Sequence, residues 1–317
     1  MAIQSVGSPL AWVVFIGFVL VMLAIDLGVF HKHAHEVSLK EAGIWSGVWV
    51  SLALLFNVGV YSMFGPERAL EFATGYVIEK ALSVDNIFVF VVIFSTFAVP
   101  AAYQHRVLFW GVLGALLMRA LFILAGGAFL QRFHWAMYVF GGVLAVTGVK
   151  LLLQRNEEPH PERNPLVRGF QKLFPMTEGY RGHHFWVREN GRRYATPLLL
   201  TLVAVEVTDI IFAVDSIPAI FAITTDPFIV FTSNIFAILG LRSLYFLLAG
   251  IITKFVYLKL GLSFVLIFVG AKMLIADFYK VPILASLGII AGILTLSIVA
   301  SWLKPAPASG EEAKAGS

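Results

Sequence analysis

Apolar residues run in nine long blocks along this chain, at roughly 9–30, 42–64, 69–98, 107–129, 134–153, 197–222, 228–252, 260–277 and 282–303. Most blocks hold about twenty residues, enough for a helix to cross a hydrocarbon core of ~30 Å. The pattern predicts an all-α fold, a polytopic transmembrane helix bundle of about nine spans. The 69–98 block would reach ~45 Å as a helix, so it is expected to tilt, break or extend past the membrane, with Gly75, Ser83 and Asn86 as break points. Only one connection is long. The 154–196 segment is polar, rich in Arg and contains proline; it reads as a solvated loop with an amphipathic patch and is too short for a separate domain. The tail 304–317 reads as disordered.

Composition supports this reading and narrows the function classes. Hydrophobic residues make up 59% of the chain and charged residues 13%, against a usual charged share of about 25%. No Lys or Arg precedes the first block and no small-residue cleavage pattern follows it, so that block reads as a retained span. The absence of cysteine excludes disulfides and thiolate metal ligands. A net charge of +4 bears on topology, not on nucleic acid. With the N-terminus outside, fifteen Lys and Arg fall on the inner side, and only Arg68, Arg132 and Lys280 on the outer. This predicts a multi-pass protein of the cytoplasmic (inner) membrane, N-terminus out and C-terminus in.

The polar residues inside the blocks repeat. Leu82-Ser83-Val84-Asp85-Asn86-Ile87 corresponds to Phe212-Ala213-Val214-Asp215-Ser216-Ile217, and Glu79 falls on Asp209. Arg119-Ala120-Leu121 parallels Arg242-Ser243-Leu244, and Gly148-Val149-Lys150 parallels Gly270-Ala271-Lys272. Three successive spans therefore correspond in order. The expected organisation is two N-terminal helices (1–68), a first three-helix repeat (69–153), the basic loop (154–196), a second repeat (197–277) and a last helix (278–303). A unit of three helices is odd, so the two copies are expected to lie inverted in the membrane, with a site at their interface near the midplane.

That interface is where the acids fall. Charges near the bilayer centre are costly, and they face the bundle interior, pair, or mark an ion path. The candidate metal ligands are Glu79, Asp85, Asn86, Glu206, Asp209 and Asp215. Five carboxylates and an amide oxygen are hard ligands, suited to Mg²⁺, Ca²⁺ or Mn²⁺. Five acids around one cavity cannot all ionise, so exchange of metal against protons is chemically natural. Arg119, Arg242 and Lys80 are the candidate charge partners. Pro218, three residues after Asp215, should free backbone carbonyls nearby. Asn57 and Asn234 are expected to make interhelical hydrogen bonds, and Lys150 and Lys272 to snorkel or pair with carboxylates. Asp26 reads as an interfacial charge. The histidines at 31, 33, 35, 183 and 184 read as solvated.

Glu79-Lys80-Ala81-Leu82-Ser83-Val84-Asp85-Asn86, with Glu206-Val207-Thr208-Asp209 and Ala213-Val214-Asp215-Ser216-Ile217-Pro218, resembles the motifs of the TerC family, most closely its Alx-type members. The likeness runs from about Trp45 to Trp302. It implies an inner-membrane manganese exporter related to the LysE superfamily, from a family first linked to tellurite resistance. Mn²⁺ would be the transported substrate, the lipid bilayer the other partner, and no prosthetic group is expected. Without the resemblance, the residues reach only a hard divalent cation. The alternative is a membrane scaffold in tellurite or envelope stress that acts through the 154–196 loop. No enzyme motif is present: there is no nucleophile–base pair, metalloprotease signature or phosphate loop.

Overall fold

The computed structural model describes residues 5–30, 38–133, 135–153, 161–189, 191–249 and 257–303. The side chains of Asp26, Asp85 and Asp215 lie outside the described residues, as do His31, His33, His35 and the tail from 304 onward.

Each apolar block is helical. The helices are α1 (Pro9–Phe30), α2 (Leu39–Phe64), α3 (Pro66–Thr96), α4 (Ala101–Arg132) and α5 (Ala136–Leu153), followed after the loop by α7 (Pro197–Phe221), α8 (Pro227–Leu239), α9 (Leu241–Leu248), α10 (Leu258–Leu274) and α11 (Ile283–Leu303). Helix starts carry local signals. Ser38 accepts a hydrogen bond from Glu41 N at α2, Thr196 from Leu199 N at α7, and Asp226 from Phe228 N and Ile229 N at α8. Each satisfies backbone donors that the first turn leaves open. Pro66, Pro197 and Pro227 stand at first helical positions, where the missing N–H costs nothing.

Among the described residues, five helices are long and apolar enough to cross a membrane: α2, the Ala101–Gly126 stretch of α4, α5, α7 and α11. The pair α8–α9, bent by 41°, makes a sixth if taken as one broken span. The nine-block reading is therefore supported as helices, while the stricter measure gives five or six crossings. α3 has the length, 31 residues, but Glu71, Glu79, Lys80 and Asp85 interrupt its apolar character. The outer faces of α1, α2 and α11 expose Leu10, Val14, Leu54, Leu55, Leu284 and Leu296, far more apolar surface than a protein surrounded by water presents.

Of the tilt, break or extension expected for the 69–98 block, the break does not occur, and Pro218 removes one backbone donor without ending its helix. α3 runs unbroken through Gly75, Ser83 and Asn86, and α7 continues through Pro218 to Phe221. The break falls in the 228–252 block instead, at Gly240 between α8 and α9. There Lys80 Nζ donates to Ala237 O, 3.1 Å away, at the carbonyl-rich end of α8. A cation at a helix C-terminus is electrostatically favoured, and the sequence pattern offers no sign of it.

The described residues of the 161–196 segment are folded. It forms a short 3-10 turn (Pro161–Arg163), helix α6 (Pro165–Leu173) and an antiparallel hairpin of β1 (Trp186–Glu189) with β2 (Arg192–Ala195). Val167 and Phe170 seat α6 on the bundle beside α7. The hairpin segment is tied down by Tyr180, whose hydroxyl donates to Phe97 O at 2.7 Å, and by Arg106, which lies over the Phe185 ring.

Candidate functional site

The centre of the bundle holds a cluster of charged side chains contributed by four helices. Arg119 of α4 is buried and forms an ion pair with Glu79 of α3 through Nη1. Its Nη2 reaches Asp209 Oδ1 of α7 at 3.2 Å. Nη1 also lies 3.3 Å from Ser216 Oγ and 3.3 Å from Asn234 Oδ1. Asn234 of α8 then donates through Nδ2 to Glu79 Oε2 at 3.1 Å. Helix spacing explains the convergence. Glu79, Ser83 and Asn86 fall three or four residues apart on α3, and Glu206 and Asp209 three apart on α7, so each set lies on one face. Glu79, Ser83, Asn86, Asp209 and Ser216 are all buried.

The cluster is under-compensated. Glu79 and Asp209 share one arginine, and Asp209 Oδ2 is buried with no hydrogen-bond partner. Glu206 has no basic partner among the described residues; its carboxylate packs against the backbone of α4 at Gly114, where any Cβ would collide with it. A side chain at 114 would have to displace the Glu206 carboxylate from this position. Ser83 Oγ and Arg119 Nε are also buried without hydrogen-bond partners.

The structure thus brings together Glu79, Asp209 and Arg119; Asn86 is buried two turns further along α3, and half-buried Glu206 lies one turn before Asp209 on α7. Lys80 faces a backbone carbonyl, with no ion pair to a carboxylate among the described residues. Arg242 is buried at the start of α9, just past the break. The Asp85 and Asp215 side chains lie outside the described residues. No three described His, Asp or Glu side chains converge in a metal-holding geometry. Of the two asparagines expected to bond between helices, Asn234 does so, while Asn57 Oδ1 is buried without a partner. Lys150 is exposed and Lys272 buried, and neither pairs with a carboxylate among the described residues.

Two further buried acids escaped the sequence reading. Glu71 Oε2 accepts from Arg68 Nη1 at 2.7 Å and from Thr224 Oγ1 at 2.8 Å. Asp226 caps α8 and accepts from Val6 N at 2.7 Å, so the N-terminal segment closes over it. Both lie at the end of α3 away from Tyr180 and Phe97, and no motif distinguished them from surface acids. An apolar cleft of about 570 Å³ between α1 and α2, lined by Val14, Phe18, Leu52, Phe56 and Met63, holds no charged residue and is separate from the cluster.

The Integral membrane protein TerC family profile matches residues 64–308, which includes every residue of the central cluster. The chain belongs to the TerC family. Among curated TerC-like relatives, a membrane protein of Myxococcus xanthus, STKORF319, is 63% identical over 311 residues, covering 98% of each chain. Alx of Escherichia coli K12, whose name describes it as a candidate membrane-bound redox modulator, is 50% identical over 310 residues, covering 95% of this chain and 97% of its own. A membrane protein of Rickettsia bellii is 39% identical over 295 residues, covering 93% and 98%. No solved structure matches the chain.

Proposed function

We propose that this TerC-family protein is a secondary transporter that exports a hard divalent cation, manganese, across the cytoplasmic membrane in exchange for protons. The observation that carries this is the excess of carboxylate over base at the bundle centre: buried Glu79 and Asp209 share one arginine, and half-buried Glu206, one turn from Asp209, has no basic partner among the described residues. Buried ionised carboxylates need a counterion or a proton. A divalent cation supplies two charges at once, and its arrival releases protons from acids that held them. In this reading Arg119 is a tethered counterion that neutralises Glu79 and Asp209 between loads. Asp209 Oδ2 and Glu206 then provide the first free oxygens, and Asp85, Asn86 and Asp215 complete the ligand set. Manganese itself rests on the family resemblance.

Two inverted repeats fit this mechanism, and the packing of α5 on α10 supports that part of the reading. A Cβ at Gly148 of α5 would meet Ser263 O at 2.8 Å and Ile267 N at 2.9 Å on α10. A Cβ at Gly270 of α10 would meet Gly141 O at 2.7 Å and Ala145 N at 2.6 Å on α5. In the repeat alignment Gly148 corresponds to Gly270, Ser263 to Gly141 and Ile267 to Ala145, so each contact is the other's image. The partners run in opposite order along the two helices, so the helices are antiparallel. A two-fold axis relating antiparallel equivalent helices lies across them, which is what an inverted repeat requires. The packing of α3 on α8 and of α4 on α7 is reciprocal in the same way.

Metal-dependent proton flux in proteoliposomes tests the proposal, comparing Mn²⁺, Ca²⁺ and Mg²⁺ in the native chain and in Asp209→Asn. Flux with Mn²⁺ that the variant loses is the expected result. No flux with any of the three ions would sink the transporter reading. The relative's name raises redox modulation as a second reading. With no cysteine in the chain, that role could not run through its own thiols and would need a partner docked on the 161–196 segment, so that deleting the hairpin, and not neutralising the acids, would abolish function.

A further inference from the structure

The hairpin and α6 carry a surface that nothing within the protein accounts for. Strand register places Trp186 opposite Ala195 and Arg188 opposite Arg193, and alternate residues share a face, so Trp186, Arg188 and Arg193 project together. Like charges directly opposite on a strand pair repel. Arg188 finds only Gly191 O, at 3.4 Å, and no carboxylate within ion-pair distance of either arginine is seen among the described residues. On the same side, Trp186 meets Phe174 edge to face at 5.5 Å, which joins this surface to the end of α6. Leu173 at that end is 77% exposed and Leu166, two turns back on the same face, 65%; Lys172 borders this strip and Arg168 follows further round the helix. The adjoining part of the same apolar face of α6 is already occupied, with Val167 and Phe170 packed into the bundle.

We infer that α6 and the hairpin form a docking surface for the anionic phospholipid headgroups of the adjacent leaflet. Charge complementarity selects the occupant. The described loop has seven Lys and Arg against three Glu, and two of those acids already sit beside Arg163 and Arg181. An apolar stripe edged by bases matches a bilayer boundary, where Leu and Trp enter the acyl region while Arg meets phosphate. Position allows it: the segment is tethered by α5 and α7, both long and apolar enough to cross the bilayer, and α6 packs on α7. A lipid phosphate between Arg188 and Arg193 offsets the repulsion that the fold leaves in place. The surface would fix the hairpin, and with it Tyr180, against the membrane.

The inference depends on membrane placement and not on cation transport, so either can fail alone. Because the chain has no cysteine, Leu173→Cys gives a single spin-label site in the full-length protein. The labelled protein is reconstituted in phosphatidylcholine vesicles with and without phosphatidylglycerol. Shielding from a water-soluble relaxation agent is expected only with phosphatidylglycerol, while a label at exposed Glu178 stays accessible. Arg188→Gln with Arg193→Gln should weaken that shielding by roughly thirtyfold, about fivefold for each surface arginine, and added salt should act in the same direction. A label equally accessible in both vesicles overturns the inference. So does shielding that tracks the protein-to-lipid ratio, since that would assign the face to a second copy of the chain.

Discussion

Arg119 on α4 is ion-paired with Glu79 on α3, and both side chains are shut away from solvent. A full charge pair in such a place is strongly coupled: removing one partner strands the other in a medium that solvates it poorly. The arginine is therefore the structural tie of the cluster, and under the proposed transport function it is the group that the cation would replace.

Arg119→Met should destabilise the protein by about 3–5 kcal/mol, because it leaves Glu79 and Asp209 facing each other uncompensated. Adding Glu79→Gln and Asp209→Asn to it should restore most of the loss, since a neutral buried cluster needs no counterion. Thermal unfolding in detergent micelles reads both effects. A single variant as stable as the native chain would show that the acids are protonated and Arg119 is dispensable.

Glu206→Gln and Asp209→Asn should each lower manganese-dependent proton flux by about tenfold or more, the scale of one lost charged contact of ~1.5–3 kcal/mol. Neither should cost much stability, because Glu206 has no ion partner among the described residues and Asp209 keeps an oxygen for Arg119. Normal flux in both would remove them from the cation path.

Gly270→Ala should cost about 1–3 kcal/mol, the range for overpacking, because its methyl group would stand 2.6 Å from Ala145 N. Gly148→Ala should behave alike, as its counterpart across α5 and α10. Gly142→Ala has open space and should be neutral, or stabilising by up to about 1 kcal/mol through helix propensity. Unequal effects at Gly148 and Gly270 would weaken the two-fold relation.

Burial raises the Tyr180 hydroxyl above its ordinary value of 10.0. A raised value favours the neutral form in the folded state, so this contribution is full below pH 10 and is lost as pH climbs through the folded-state value. Unfolding temperature should fall as pH rises from about 10 through that value, and the fall should be smaller in Tyr180→Phe. The variant should also lose about 1 kcal/mol at neutral pH with the hydrogen bond to Phe97 O. An unchanged alkaline slope would place the titration elsewhere.

Single cysteines introduced at Arg193 and Lys280 should react with a membrane-impermeant maleimide from opposite sides of the vesicle. The positive-inside expectation is Arg193 in the cytoplasm and Lys280 outside. Labelling from the same side would overturn the nine-span arrangement.

Sequence alone determined the helices, because a bilayer span needs a long apolar run and the runs are written in composition. It also displayed the matching acid, arginine and glycine positions of the two stretches, since charges stand out against apolar neighbours. Tertiary structure decided the rest. Which acids share Arg119, that Glu206 rests on Gly114, and that Lys80 turns to the end of α8 depend on how helices far apart in sequence cross, which no local pattern encodes. The break at Gly240 looked like a continuous span because apolar periodicity does not register a bend. Arg188 and Arg193 read as ordinary loop charges until strand register set them side by side. Spacing along the chain fixes which face a residue occupies; only packing fixes what that face meets.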